Sequence, residues 1–179
     1  MCVFVFVTQS DMDLVAKGEW TELLLSNGGV WNMARCKKWA PNTCKILRGL
    51  HELEGRPPGY EAAMQPGQVT FLRLEPGTHL SVHTGPVNHR LTLHLGVRTP
   101  AKASMTVAKE HTVEWHEGRA VVFDDSFVHE VWHNGTEPRV ILYVSRWHPD
   151  VWTRLPDPAA DDGVKPQRKV TGAPVTREE

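Results

Sequence analysis

The chain has 179 residues, 40% of them hydrophobic and 23% charged, with a net charge of −1. That length suits one domain with a real core, and the near-neutral balance argues against nucleic acid or an anionic membrane as main partner, since either asks for a basic surface. No apolar run approaches the roughly 20 residues needed to cross a bilayer, so no membrane segment is expected.

In chain order, Met1-Cys2-Val3-Phe4-Val5-Phe6-Val7 is apolar but short. It lacks the basic start and small-residue cleavage site of a signal peptide. A buried first strand is expected there, or a chain that begins partway into its domain. Ser10 to Leu25 opens like a short helix, with Ser10 as N-cap and Asp13 three residues on. Gly18 interrupts it, and Trp20 to Leu25 reads equally well as a strand. Asn27-Gly28-Gly29 is a turn. Cys36 and Cys44 enclose a loop with turn residues, which spacing alone reads as a disulfide or as two unrelated thiols; a zinc site does not fit. An oxidised pair implies an ER-like or extracellular compartment, a reduced one a cytoplasmic setting. Residues 45–66 read as irregular, broken by Gly55, Pro57, Pro58 and Gly59.

From Gln68 onward short strands succeed one another: Val69 to Leu74, Leu80 to His83, His89 to Val97, Met105 to Ala108, Thr112 to Trp115, Ala120 to Phe123, Val128 to Trp132 and Val140 to Trp147. Pro76-Gly77, Gly85-Pro86, Glu117-Gly118 and Asn134-Gly135 punctuate them. This pattern predicts an all-β fold with minor helix, best a two-sheet jelly roll that can hold a metal between its sheets. Pro156 to Glu179 has no aromatic residue, no Leu and no Ile. Residues 1–154 are therefore the expected domain and residues 155–179 a flexible tail.

Two histidines carry the chemistry. His83, in His83-Thr84-Gly85-Pro86, and His129, 46 residues later, each sit at a strand edge where they could grip one metal ion. Gly85 stands where a carboxylate would complete the 2-His-1-carboxylate triad of non-heme iron oxygenases. Side chains two apart share a strand face, so Arg90, Thr92 and His94 lie together opposite His89, Leu91, Leu93 and Leu95. That polar face reads as an anion pocket, because an arginine fork matches a carboxylate; its plain alternative is a solvent-facing strand. Arg139, ten residues past His129, is expected on the strand beside it, where it can hold an anionic cosubstrate. Asp124 and Asp125 read as turn formers, one of them orienting His129. His129-Glu130-Val131-Trp132-His133 also matches the HExxH zinc-peptidase motif, which works on a helix. Turns on both sides leave no room for one, and on a strand the two histidines stand about 13 Å apart.

The segments Glu75-Pro76-Gly77-Thr78-His79, His83 to Leu91, His94-Leu95-Gly96, Trp115-His116-Glu117-Gly118, Phe123 to Trp132 and Trp147-His148-Pro149 together resemble the catalytic domain of the aspartyl/asparaginyl β-hydroxylases. Weaker similarity runs through Lys17 to Thr21 and the cysteine loop, so the resemblance covers roughly residues 14–152. It implies a double-stranded β-helix that holds Fe(II) by two histidines alone, here His83 and His129, with Gly85 in the vacant ligand's place. It assigns Arg139 to 2-oxoglutarate, His94 to the cosubstrate's other carboxylate, and Arg90 to the cosubstrate or to an aspartyl carboxylate of the substrate. The implied reaction hydroxylates the β-carbon of an aspartyl or asparaginyl residue in a peptide or protein. The cysteine loop resembles a disulfide-bonded loop of the animal enzymes, which act in the ER on EGF-like domains. Two residues depart from the family: Thr92 stands where members carry a second arginine, and Leu72 replaces a serine that supports the cosubstrate. Those departures keep a non-catalytic β-helix binding module in view. The missing carboxylate ligand does the same for a halogenase-like or small-molecule-hydroxylating variant.

Overall fold

A computed structural model describes residues 14–57, 59–61 and 65–153. The first strand expected at Met1 to Val7, the Ser10 cap and the tail at 155–179 lie outside the described residues.

Eleven strands and four short helices follow in order: β1 (Val15–Lys17), β2 (Trp20–Asn27), β3 (Val30–Trp31), α1 (Met33–Trp39), α2 (Pro41–Leu47), α3 (His51–Glu54), β4 (Val69–Leu74), β5 (His79–His83), β6 (Arg90–Arg98), β7 (Ala103–Val107), β8 (His111–Glu114), β9 (Ala120–Phe123), β10 (His129–His133), β11 (Arg139–Trp147) and α4 (Asp150–Thr153). They form a five-stranded sheet, β1-β5-β10-β7-β8, and a six-stranded sheet, β3-β2-β4-β11-β6-β9. Every pairing between these strands is antiparallel. This is the jelly roll expected from the strand spacing, a double-stranded β-helix.

The period-2 pattern builds both faces of the large sheet. Phe71 on β4, Leu142 and Val144 on β11 and Leu93 and Leu95 on β6 pack outward under the helices, against Cys36, Cys44 and Leu53. The alternate residues Leu72, Leu74 and Ile141 turn inward to meet Met105 and Val131 from the small sheet. One sheet thus serves two apolar layers. Its inner face is the one that carries the site.

Two expectations change. Instead of a helix in Ser10 to Leu25, the described residues form β1 and β2, and β2 pairs with β4 from Trp20↔Leu74 to Ser26↔Val69. Gly18 divides them at φ +92°, where an added Cβ would stand 2.4 Å from Thr78 Oγ1; a side chain is excluded there twice over. The stretch that read as irregular, residues 45–66, holds the end of α2 and all of α3, and the cysteine loop before it forms α1 and the rest of α2. Asn32 caps α1 by accepting from the Arg35 amide at 3.0 Å, and Pro41 starts α2. A Cys36–Cys44 disulfide joins the two, and both cysteines are buried against the sheet. Helices of seven residues or fewer have too few turns to be stable alone. Packing and the cross-link hold them, so no periodicity announced them.

Candidate active site

Neighbouring strands bring the two histidines together. β5 and β10 pair with His129 directly opposite His83, and the rings lie with centroids 4.1 Å apart and planes at 57°. His83 Nδ1 meets the Ser81 carbonyl at 2.7 Å, and His129 Nδ1 meets the Phe127 carbonyl at 2.9 Å. A carbonyl only accepts, so each Nδ1 must carry the proton, and in the neutral ring Nε2 is left with the free lone pair. That is the tautomer a metal-binding imidazole needs. Burial, with the facing His83 adding to it, holds His129 below the ordinary histidine range and keeps it neutral. The donor set fits a divalent transition metal with several positions left for small ligands. Among the described residues, no group of three or more His, Cys, Asp or Glu side chains is placed to hold a metal.

The Gly85 corner has a tenant. A Cβ there would lie 2.4 Å from Asp125 Cγ and 2.5 and 2.6 Å from its two oxygens, and the Gly85 amide donates to the Asp125 carbonyl at 2.6 Å. Asp125 is buried and fixed by Arg90, whose Nη2 and Nε donate at 2.6 and 3.4 Å. The two aspartates divide the roles foreseen for them. Asp124 forms the turn, accepting from the Ser126 amide at 2.9 Å. Asp125 holds Arg90, and the Phe127 carbonyl orients His129 in its stead.

His83, His129, Arg90, Thr92, His94 and Arg139 all line one cavity of about 330 Å³ between the sheets, with Leu72 also in its wall. The placement of Arg139 differs from expectation. β11 belongs to the large sheet and β10 to the small one, so Arg139 is not on the strand beside His129. The chain crosses between sheets at the Asn134-Gly135 turn, and Arg139 borders the cavity from the opposite wall. Only 3% of it is exposed. Among the described residues its Nε has no hydrogen-bond partner, and its guanidinium lies 4.3 Å over the Trp115 ring. Burial pushes its pKa down to about 9, which leaves it cationic at neutral pH. Such a charge in a cavity calls for an anionic ligand. His94, buried with Nδ1 unpartnered, is driven well below the usual histidine pKa by burial, then by Arg139 and His129. Arg90 is less free than expected, since Asp125 already neutralises it.

Tyr143 is a cavity residue the sequence reading missed, its hydroxyl 3.5 Å from Thr92 Oγ1. The signal was available: Arg139, Ile141 and Tyr143 share one face by alternation. The HExxH match is accidental. It lies on β10, where Glu130 pairs with His79 at 2.7 Å. His133 spends both ring nitrogens, on the Glu137 carbonyl at 2.8 Å and the Gly135 amide at 3.4 Å.

Residues 6–149 match the family described as Aspartyl/Asparaginyl beta-hydroxylase. The chain belongs to this family. It is 38% identical over 141 residues to the mouse (Mus musculus) aspartyl/asparaginyl beta-hydroxylase, covering 79% of this chain and 18% of that protein. It is 36% identical over 143 residues to the human (Homo sapiens) aspartate beta-hydroxylase domain-containing protein 2, covering 78% and 36% respectively. The chain therefore spans well under half the length of these relatives. A remoter likeness is to the cupin domain of Cnp3 from Schizosaccharomyces pombe, with TM-score 0.39, 12% identity and coverage of 45% of this chain and 56% of that one.

Proposed function

We propose that this member of the aspartyl/asparaginyl β-hydroxylase family is an Fe(II)- and 2-oxoglutarate-dependent dioxygenase that hydroxylates the β-carbon of an aspartyl or asparaginyl residue in a peptide or protein. The observation that carries the reading is one cavity that joins two Nδ1-protonated imidazoles to a buried cation with no carboxylate partner among the described residues. Fe(II) held by His83 and His129 would supply the oxygen-activating chemistry, with 2-oxoglutarate oxidised to succinate and CO2 as one oxygen atom enters the C–H bond.

The chain's own part is binding and orientation. Ser81 and Phe127 hold both imidazoles in the ligating tautomer through their carbonyls. Arg139 grips the far carboxylate of the cosubstrate, and the desolvation that makes it costly when empty strengthens its grip when an anion arrives. His94, neutral, would offer a hydrogen bond to the cosubstrate's other carboxylate. Arg90 keeps Asp125 in the hollow at Gly85, which preserves a polar wall beside the imidazoles without adding a ligand. The apolar walls exclude water from the reacting C–H bond.

The test is anaerobic titration of the protein with Fe(II) and 2-oxoglutarate, followed by oxygen and succinate measurement with aspartyl and asparaginyl peptides. Binding that needs both His83 and His129, and succinate formation lost in Arg139→Gln, are the expected results. Full metal binding by a His83→Ala variant, or no succinate with any peptide, would refute the reading.

A further inference from the structure

The whole-chain charge conceals a strongly divided surface. Between Glu22 and Glu52 there is no acidic residue, while Arg35, Lys37, Lys38, Lys45 and Arg48 supply five cations. A chain of net −1 thus carries +5 in this stretch and −6 over the rest. The fold turns that stretch outward. Cys36 and Ala40 mark the buried side of α1 and Cys44 that of α2, so helical spacing directs Met33, Lys37 and Lys38 from one helix and Lys45 and Ile46 from the other to solvent. The disulfide staples the two into one rigid layer. Lys38 Nζ lies 4.7 Å over the Trp39 ring, a cation–π contact at an exposed position.

Exposed apolar groups fall in the same stretch of chain. Of the large hydrophobic residues left exposed, Val30 (75%), Met33, Ile46 (70%) and Leu50 fall within this one stretch. Aliphatic side chains at such exposure, interleaved with cations and with Glu54 held at the Trp31 edge of the stretch, suit a surface that is anionic outside and apolar just beneath. That is the headgroup region of an anionic bilayer. No described helix is long and apolar enough to cross a membrane, so the contact is one of lying on the surface. The six-stranded sheet separates this layer from the active-site cavity.

We propose that the α1–α2 face is a docking surface for anionic lipid headgroups, a role separate from the chemistry of the cavity. The test is co-flotation of the full chain with vesicles of phosphatidylcholine alone or with about 30 mol% phosphatidylserine. Expected is binding to the anionic vesicles at ~0.05 M salt and its loss at ~0.5 M. Each cation contributes about fivefold to the partition, so Lys37→Gln/Lys38→Gln/Lys45→Gln should lower it about a hundredfold. A control variant with Lys17→Gln, Lys102→Gln and Lys109→Gln should bind like the wild type, and circular dichroism should find both variants folded. Ile46→Ser should weaken binding without changing its salt dependence. Equal binding to neutral vesicles, no binding at low salt, or full binding by the first variant would overturn the proposal. So would capture by immobilised polyglutamate with no vesicle binding, because the face would then be built for an acidic protein.

Discussion

Replacing Gly85 with alanine probes the least expected contact of the site. The new methyl would stand 2.4 to 2.6 Å from the Asp125 carboxyl atoms, well inside contact distance. No left-handed backbone conformation is involved at Gly85, so the conflict is one of space alone. Asp125 is 4% exposed and held at 2.6 Å by Arg90; it can move only by giving up that pair. Overpacking of this kind costs about 1–3 kcal/mol, and full loss of a buried ion pair about 3–5 kcal/mol. Because the carboxylate can swing partly aside, we expect about 2–3 kcal/mol for Gly85→Ala, or a fall in Tm of roughly 4–12 °C. The decisive assay is a double-mutant cycle by urea denaturation. In an Asp125→Ala background the methyl enters empty space, and the cost of Gly85→Ala should fall to about 0.5 kcal/mol or less, a coupling near 2 kcal/mol. An equal cost in both backgrounds would refute the reasoning, as would a neutral effect in the wild type.

Three further outcomes follow from the same structure. Arg139→Met should raise the stability of the free protein by about 1–3 kcal/mol in urea denaturation, because a buried cation with no ion pair among the described residues is replaced by an apolar side chain of similar length; the same variant should lose any stabilisation by 2-oxoglutarate, and a destabilised variant would contradict the account. The pKa values of His94, His129 and His133 are all lowered, each chiefly by burial. The unfolded chain therefore binds more protons once pH falls below about 6.5, and stability should decline from there by up to about 1.4 kcal/mol per pH unit for each histidine. Urea midpoints at pH 7.5 and 5.5 measure this, and His94→Gln should flatten the slope; a midpoint unchanged between the two would exclude it. Reducing the Cys36–Cys44 bridge, which spans a sequence separation of 8, should cost about 2–3 kcal/mol from loop entropy. Melting with and without reductant, with thiols counted by mass, checks it, and an unshifted Tm in the reduced protein would show that packing alone holds the helices.

Much of the site was readable from residue order because strands impose a strict period. Arg90, Thr92 and His94 fall on one face by counting in twos, and the cavity is lined by all three. His83 and His129 stood out by type and motif, and the strand spacing from Val69 to Trp147 is enough to name a two-sheet fold. Local pattern could not say which strands become neighbours, since pairing across tens of residues is settled by how whole sheets close on a shared core. Hence β10 and β11, adjacent in sequence, lie in different sheets, and Arg139 borders the cavity opposite His129 instead of beside it. The same holds for Asp125: a turn aspartate by sequence, it enters the hollow left by a glycine 40 residues earlier only once the fold brings the two loops together. α1 and α2 are a third case, since a seven-residue helix gains its stability from the sheet beneath it and from a disulfide that spacing alone left undecided.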